Sequence, residues 1–250
     1  MRYRAILAFA LAPLAACAPA VPTTPTPPPT PYDLLITGGR VVDGTGNPWY
    51  YGDIAIRGDR IAAIAPAGAI PAARAGRTLD ARGLVVAPGF IDLQGHSYNA
   101  LLRDGRAVSK VMQGVTTEIM GEGTTPAPRG GRIAPAAEPG DTAAARRDRE
   151  WRSIADWLLE TEQRGASLNI GTFIGAGTVR EYVLGMEARA PTPAELDSMR
   201  AVVARAMQDG AFGVASALIY PPDAFASTDE LVALAAEAAR HGGIYVTHMR

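Results

Sequence analysis

After Ala87 the chain alternates short apolar runs with segments of helical periodicity, and this alternation limits the possible folds more than any other feature. The apolar runs predict strands at 90–93, 116–120, 168–174, 213–218 and 244–247. Strands that alternate with helices form parallel sheets with the helices packed outside them. We therefore predict a parallel α/β domain over residues 88–250.

Capping signals mark the helices between these strands. Thr192 and Glu195 form a predicted capping box with Pro193 at the first helical position, and Ser227 with Glu230 forms a second. A third helix is predicted over 151–164. The segment 122–150 has no periodicity, so we expect a long loop that forms part of a substrate lid.

Residues 32–87 have a different rhythm, in which strands of about five residues are separated by Gly and Asp turns. This pattern predicts a small hairpin-rich β domain. The net charge of −1 argues against nucleic-acid binding, which needs a basic face. The single cysteine excludes a disulfide framework and a Cys-rich zinc module.

The first 17 residues are typical of an export signal. A basic start precedes an apolar run at 5–16 that is shorter than the roughly 20 residues of a membrane-spanning helix. The run ends in Leu14-Ala15-Ala16-Cys17, which resembles the lipobox of bacterial lipoproteins, in which the cysteine carries the lipid. An ordinary secretory signal, with Cys17 incidental, is the alternative.

The Pro/Thr-rich segment 18–31 follows and is expected to form a stiff, polyproline-like tether. Ala18, directly after the cysteine, is not the Asp associated with inner-membrane retention. We expect an exported periplasmic protein that is anchored by lipid, at the outer membrane, and that contacts the membrane through this anchor only.

Six segments resemble the amidohydrolase superfamily and, within it, the N-acyl-D-amino-acid deacylase (D-aminoacylase) group. They lie in order at 32–46, 86–92, 113–117, 175–180, 220–228 and 244–250. The resemblance implies a metal-dependent (β/α)₈ barrel of the TIM type, here with about five strands, joined to a small β-sandwich. It also implies hydrolysis of a C–N amide bond by a metal-activated water, with an N-acyl amino acid or related amide as the small-molecule substrate.

The candidate metal ligands lie at predicted strand ends, where barrel enzymes place their chemistry. His96 ends the first strand, Glu122 follows the second, and His248 ends the fifth. Two imidazoles and one carboxylate form a plausible zinc set with an open position for water. The alternatives are structural histidines and a solvated loop carboxylate; His241, at a helix end, is interpreted as structural.

Strand alternation predicts which side chains accompany these ligands. Asp92 and Gln94 are expected to share a face with His96, and Glu118 and Met120 with Glu122. Asp92 is then a candidate for supporting the site from behind the ligands. Ile244 and Val246 are expected to share a face with His248. Lys110 is interpreted as a helix residue beside the barrel, and not as a carboxylated metal bridge.

The resemblance adds one catalytic candidate and three differences. Tyr220 lies where the family carries a tyrosine that contacts substrate. The family's His-x-His is Gln94-Gly95-His96 here, a cysteine of the group corresponds to Gly123, and a further histidine to Ala176. An amide is a poorer zinc ligand than imidazole, so we expect one Zn²⁺ ion in preference to two.

The length also bears on activity. A complete barrel takes about 250 residues by itself, so we expect this chain to be a fragment or a truncated product that is inactive alone. Two other functions stay open: a non-catalytic lipoprotein domain that binds a ligand, and a dihydroorotase-like or isoaspartyl-dipeptidase-like amidohydrolase.

The lipid anchor can be tested by replacing Cys17 with serine. We expect the Cys17→Ser variant to lose incorporation of labelled palmitate and to leave the membrane fraction, because the attachment sulfur is gone. An Ala18→Ser variant is the matched control and should keep its label. Lipid labelling that persists in Cys17→Ser would contradict the prediction.

Overall fold

The computed structural model of the chain describes residues 31–133 and 151–248. These residues form two compact units that divide between Ala87 and Pro88. The predicted export signal with Cys17, the tether up to residue 30 and part of the 122–150 loop lie outside the described residues.

The first unit is built on a mixed sheet. Its strands are β1 (Tyr32–Val41), β2 (Tyr50–Arg57), β3 (Arg60–Pro66), β4 (Ala75–Asp80) and β5 (Val85–Val86). The order is β3-β2-β1-β4, with β5 paired to β1. The first three strands are antiparallel neighbours, as expected of hairpins, whereas β4 and β5 lie parallel to β1. The predicted sandwich stays a prediction.

A buried carboxylate stabilises the turns of this sheet. Asp53 on β2 is completely buried. Its side chain accepts hydrogen bonds from the backbone N–H groups of Gly38 at 3.0 Å and Gly68 at 2.8 Å. Because buried polar groups are costly without partners, these bonds fix the two turns against the strand.

The second unit contains parallel strands joined by helices. Its strands are β6 (Phe90–Gly95), β7 (Val115–Met120), β8 (Asn169–Thr172), β9 (Ile174–Gly175), β10 (Gly213–Ala217) and β11 (Ile244–His248). They pair in parallel in the orders β6-β7-β8 and β9-β10-β11. Only Phe173 separates β8 from β9, so one chain segment connects the two sheets.

Two helices begin where their capping residues predict, and the helix predicted over 151–164 begins three residues later, at Ile154. The helices of this unit are α1 (Tyr98–Arg103), α2 (Val108–Val111), α3 (Ile154–Arg164), α4 (Ala176–Leu184), α5 (Pro193–Gln208) and α6 (Thr228–Arg240). Thr192 and Glu195 form the complete capping box at α5. At α6 Ser227 accepts from the Glu230 N–H, while the Glu230 carboxylate pairs with Arg180 on α4. Among the described residues no helix is long and apolar enough to cross a membrane.

The main core lies between the helices and one face of the parallel strands. Trp157 on α3 is completely buried there and makes an edge contact with Tyr98 on α1, with the ring centres 6.0 Å apart. Met120 and Ile174 contribute from the strands. The opposite face of the strands carries a smaller cluster of Ile119, Phe173 and Ala215, with Val246 packed against it.

Removing the Trp157 ring tests this core. A Trp157→Ala variant should lose about 3–5 kcal/mol of unfolding free energy, because the surrounding core relaxes only partially into the cavity left by a completely buried ring. Urea denaturation followed by circular dichroism measures the loss. Leu159→Ala on the same helix is the control: Leu159 is exposed, and its loss should change stability by about 0.5 kcal/mol or less. Equal midpoints for the two variants would contradict the assignment.

Candidate functional site

A cavity of about 310 Å³ lies at the carboxyl ends of the parallel strands. It is lined by Gln94, His96, Glu122, Gly123, Thr124, Gly177, Ala217, Tyr220, Pro221, Pro222, Asp223 and His248. The sequence indicated five residues for metal binding or catalysis, and four of them line this cavity: His96, Glu122, Tyr220 and His248. Asp92 does not line this cavity.

The centre of the cavity wall is the carboxylate of Glu122. Its Oε2 lies 3.5 Å from His96 Nε2, and its Oε1 lies 3.3 Å from His248 Nδ1. Gln94 Nε2 donates a hydrogen bond to Oε2 at 2.8 Å. The Glu122 side chain is largely buried, whereas both imidazoles are about half exposed.

Glu122 does not reach the cavity by strand alternation, and the prediction that it shares a face with Glu118 and Met120 is wrong. Met120 packs into the core formed with the helices, and Glu118 is buried. Gly121 ends the alternation with φ +105°, a conformation that side-chain-bearing residues avoid. A Cβ on Gly121 would also overlap the backbone oxygen of Phe173. This turn directs Glu122 into the cavity.

Tyr98 holds that turn in place. Its hydroxyl donates to the Thr124 carbonyl at 2.7 Å and accepts from the Gly121 N–H at 3.0 Å. Burial raises the pKa of Tyr98 to about 12, so the hydroxyl keeps its proton and can make both bonds. Sequence reasoning missed this residue, because a tyrosine at the start of a short helix has no distinguishing pattern.

A register shift separates Asp92 from Gln94 and His96. Asp92 pairs with Glu118 on β7, and Gly95 pairs with Met120. The step from the first pair to the second is three residues along β6 but only two along β7. Alternation fails across such an irregularity. Asp92 instead forms an ion pair with Lys110 on α2, and the hydrogen bond from that ammonium lowers the pKa of Asp92. The prediction of one shared face for 92, 94 and 96 is therefore wrong.

The fifth predicted strand behaves as expected near its end. Val246 packs against the small cluster on the cavity side of the strands, and His248, two residues on, lines the cavity. His248 lies opposite Ala217 of β10 in the strand register, and both residues line the cavity. His241 lies at the C-terminal end of α6, with Nε2 3.7 Å from a Glu237 oxygen, outside the cavity lining.

The loop after β10 supplies two further groups. Tyr220 lines the cavity and is mostly exposed. Asp223 is almost completely buried, and its Oδ2 accepts from the Ala217 N–H at 2.8 Å. Burial raises the pKa of Asp223 to about 7; the hydrogen bond from the Ala217 N–H and the Arg180 charge oppose this shift, whereas the nearby Glu230 carboxylate adds to it. Sequence reasoning did not nominate Asp223, since only the fold shows that it is buried.

The donor atoms suit zinc in kind, because imidazole nitrogen and carboxylate oxygen are standard zinc ligands. Their arrangement is a carboxylate bracketed by two imidazoles, and not a closed coordination shell. Within 31–133 and 151–248, no group of three or more His, Cys, Asp or Glu side chains has the geometry to hold a metal ion.

Comparison with known proteins gives close relatives. No protein-family model matches the chain. The chain is 39% identical over 221 residues to a D-aminoacylase of Alcaligenes xylosoxydans xylosoxydans, an alignment that covers 88% of the chain and 45% of that protein. A D-aminoacylase structure described with a binuclear metal centre superimposes with a TM-score of 0.76 at 35% identity, covering 88% of the chain and 46% of that structure.

A third relative was solved with a ligand. The N-acyl-D-glutamate deacylase of Bordetella bronchiseptica, in complex with zinc and a phosphonate that mimics the tetrahedral intermediate, matches with a TM-score of 0.71 at 33% identity. That match covers 88% of the chain and 45% of the deacylase. The resemblance to the D-aminoacylase group of amidohydrolases and the mixed α/β fold are thus confirmed. The chain spans less than half the length of these relatives.

The burial of Asp223 predicts a pH-dependent stability. Because its pKa is raised, Asp223 keeps its proton in the folded state at pH values where the unfolded chain has released it. The contribution of the protonated Asp223 carboxyl to stability is therefore full below about pH 4 and is lost as the pH rises to about 7. An Asp223→Asn variant has no carboxyl at this position and therefore does not lose this stability as the pH rises. Its melting temperature should therefore rise relative to that of the natural protein across this window, as measured by calorimetry.

The control is Asp229→Asn, which changes an exposed aspartate at the start of α6. Its difference in melting temperature from the natural protein should stay constant with pH. A constant difference for Asp223→Asn as well would show that the Asp223 carboxyl is not held neutral by burial.

Proposed function

We propose that this chain is part of a metal-dependent hydrolase that cleaves C–N amide bonds other than peptide bonds, with N-acyl-D-amino acids as the substrate class. The convergence of His96, Glu122 and His248 on one cavity at the ends of parallel strands carries this proposal. The 39% identity to a D-aminoacylase supports the same chemistry. The second unit is then five strands of a (β/α)₈ barrel, with β8 and β9 counted as one interrupted strand, and the first is part of a β-sandwich.

The proposed metal is one Zn²⁺ ion, held by His96, Glu122 and His248. When bound, it supplies an activated water of lowered pKa and polarises the scissile carbonyl. Gln94 supports a single ion: the resemblance implies a histidine at this position, and here the amide Nε2 is directed at Glu122 as a donor. A neutral amide contributes little to a second zinc site.

Glu122, Tyr220 and Asp92 have separate proposed roles as hydrogen-bonding groups in or behind the cavity. Glu122 is a strong acceptor in a largely buried position, held from one side by the Gln94 amide. Tyr220 has an exposed ring at the cavity wall, so its hydroxyl is free to donate to the substrate carbonyl oxygen or carboxylate. Asp92 acts from outside the cavity, through its hydrogen bond from the Gln94 N–H.

The proposed setting is the periplasm. The export signal, Cys17 and the Pro/Thr-rich tether support a lipid-anchored protein at the outer membrane. The proposed partner is a small N-acyl amino acid. We propose no nucleic-acid partner, because the charge is balanced at −1.

The test uses the full-length protein with a panel of N-acyl-D-amino acids, N-acyl-L-amino acids, dipeptides and hydantoins. We expect about one equivalent of bound zinc, measured by mass spectrometry, and hydrolysis of N-acyl-D-amino acids. A His248→Ala variant should lose more than about 100-fold in activity, because even outer partners of zinc ligands cost 10–100-fold.

His241→Ala is the matched control, since His241 lies outside the cavity lining, at the end of α6. It should retain both zinc and activity. A full-length protein that binds no zinc and hydrolyses no compound of the panel would refute the proposal. Hydrolysis confined to dipeptides or hydantoins would refute the substrate class.

A further inference from the structure

An ionic cluster lies beside the cavity, on the helix side of β6 and β7. It consists of Asp92, Lys110 and Glu118, and we call it the Lys110 cluster. The Lys110 ammonium forms an ion pair with the Asp92 carboxylate and lies 3.4 Å from Glu118 Oε1. Asp92 and Glu118 are direct neighbours in the β6–β7 register, so the lysine joins the two strands. Lys110 is the sole lysine of the sequence.

The cluster contains a carboxylate in an unfavourable position. Glu118 is completely buried, and neither of its oxygens has a hydrogen-bond partner among the described residues. Burial of an ionised group is costly unless an opposite charge compensates it. Lys110 is the compensating charge, and its side chain is about three-quarters buried. The location of Glu118 therefore depends on Lys110.

Two contacts connect the cluster to the cavity residues. Asp92 Oδ1 accepts a hydrogen bond from the Gln94 N–H at 3.0 Å. The Glu118 carboxylate occupies the space beside Gly95, where a Cβ would overlap it. Gly95 ends β6 and lies between Gln94 and His96, both of which line the cavity. The cluster thus holds the backbone of two consecutive residues just before His96.

We propose that Lys110 is a positioning residue, which acts through Asp92 and Glu118 to hold Gln94 and His96 toward Glu122. The register shift in β6 makes such a restraint necessary, because the regular ladder is interrupted between Asp92 and Gly95. The ion pairs replace the missing ladder contacts at this point. This inference rests on the proposed function in one respect: the residues that Lys110 positions belong to the proposed zinc site.

The experiment compares Lys110→Met with the natural protein. Methionine keeps the length of the side chain and removes the charge, so Glu118 loses its partner and the Gln94–His96 segment shifts. We expect the side-chain ¹⁵N NMR signals of His96 to move and those of His241 to stay. The chain has three histidines, which makes the assignment direct. Zinc affinity, measured by competition with a chelator, should fall about 10–100-fold.

Two variants serve as controls. Lys110→Arg keeps the charge, so the His96 signals should move less and the zinc affinity should fall less than in Lys110→Met, since a cation still faces both carboxylates. Arg200→Met breaks an exposed ion pair with Asp197, outside the cavity lining, and should change neither measurement. If Lys110→Met does not fold, the double variant Lys110→Met/Glu118→Gln removes both charges and leaves no unpaired buried carboxylate. It should show the same His96 shift.

The outcomes separate this inference from the proposed function. Either Lys110→Met or the double variant could fold with a lowered melting temperature but with unchanged His96 signals and unchanged zinc affinity. That result would overturn the positioning role and leave the cluster as a structural element. A natural protein that binds no zinc overturns the proposed function, and the His96 signals of the metal-free protein then decide the positioning role alone.

Discussion

The carboxylate of Glu122 is the group on which the arrangement of this cavity depends. It lies within 3.5 Å of imidazole nitrogens from two strand ends that are distant in sequence, and it accepts a hydrogen bond from Gln94. Without it, His96 and His248 have no common partner in the described part of the chain. The parallel arrangement of the strands makes this meeting possible, because their carboxyl ends lie at one edge. The turn at Gly121 and the Tyr98 hydroxyl complete it.

Two groups of buried or largely buried charges lie in the second unit, outside the cavity lining. The Lys110 cluster stands behind β6 and β7, and a fully buried pair of Arg180 and Glu230, 2.6 Å apart, joins α4 to α6. Arg180 also donates to the backbone carbonyl of Glu187. Each ion is costly to bury and is retained only with its partner, so the two clusters tie the helix layer to specific strand and loop positions.

Local signals in the sequence predicted most of the second unit. Capping residues such as Thr192 and Ser227 act on the first helical turn alone, so they located α5 and α6 without knowledge of the fold. His96 and His248 were found because strand ends are recognisable from apolar runs. Asp92 and Glu118 were placed on the wrong face, since a register shift and a positive φ depend on neighbouring strands. Asp223 and Tyr98 were missed because burial is a property of the tertiary structure.

The way in which Glu122 is held has a consequence for how such a cavity changes during evolution. The turn that carries it is fixed by the backbone of Gly121, the carbonyl of Thr124 and the Tyr98 hydroxyl, and none of these contacts uses the side chain at position 122. A mutation there can exchange the group that is presented to the cavity and leave these contacts of the turn in place. This position is therefore a natural point of divergence on an unchanged scaffold.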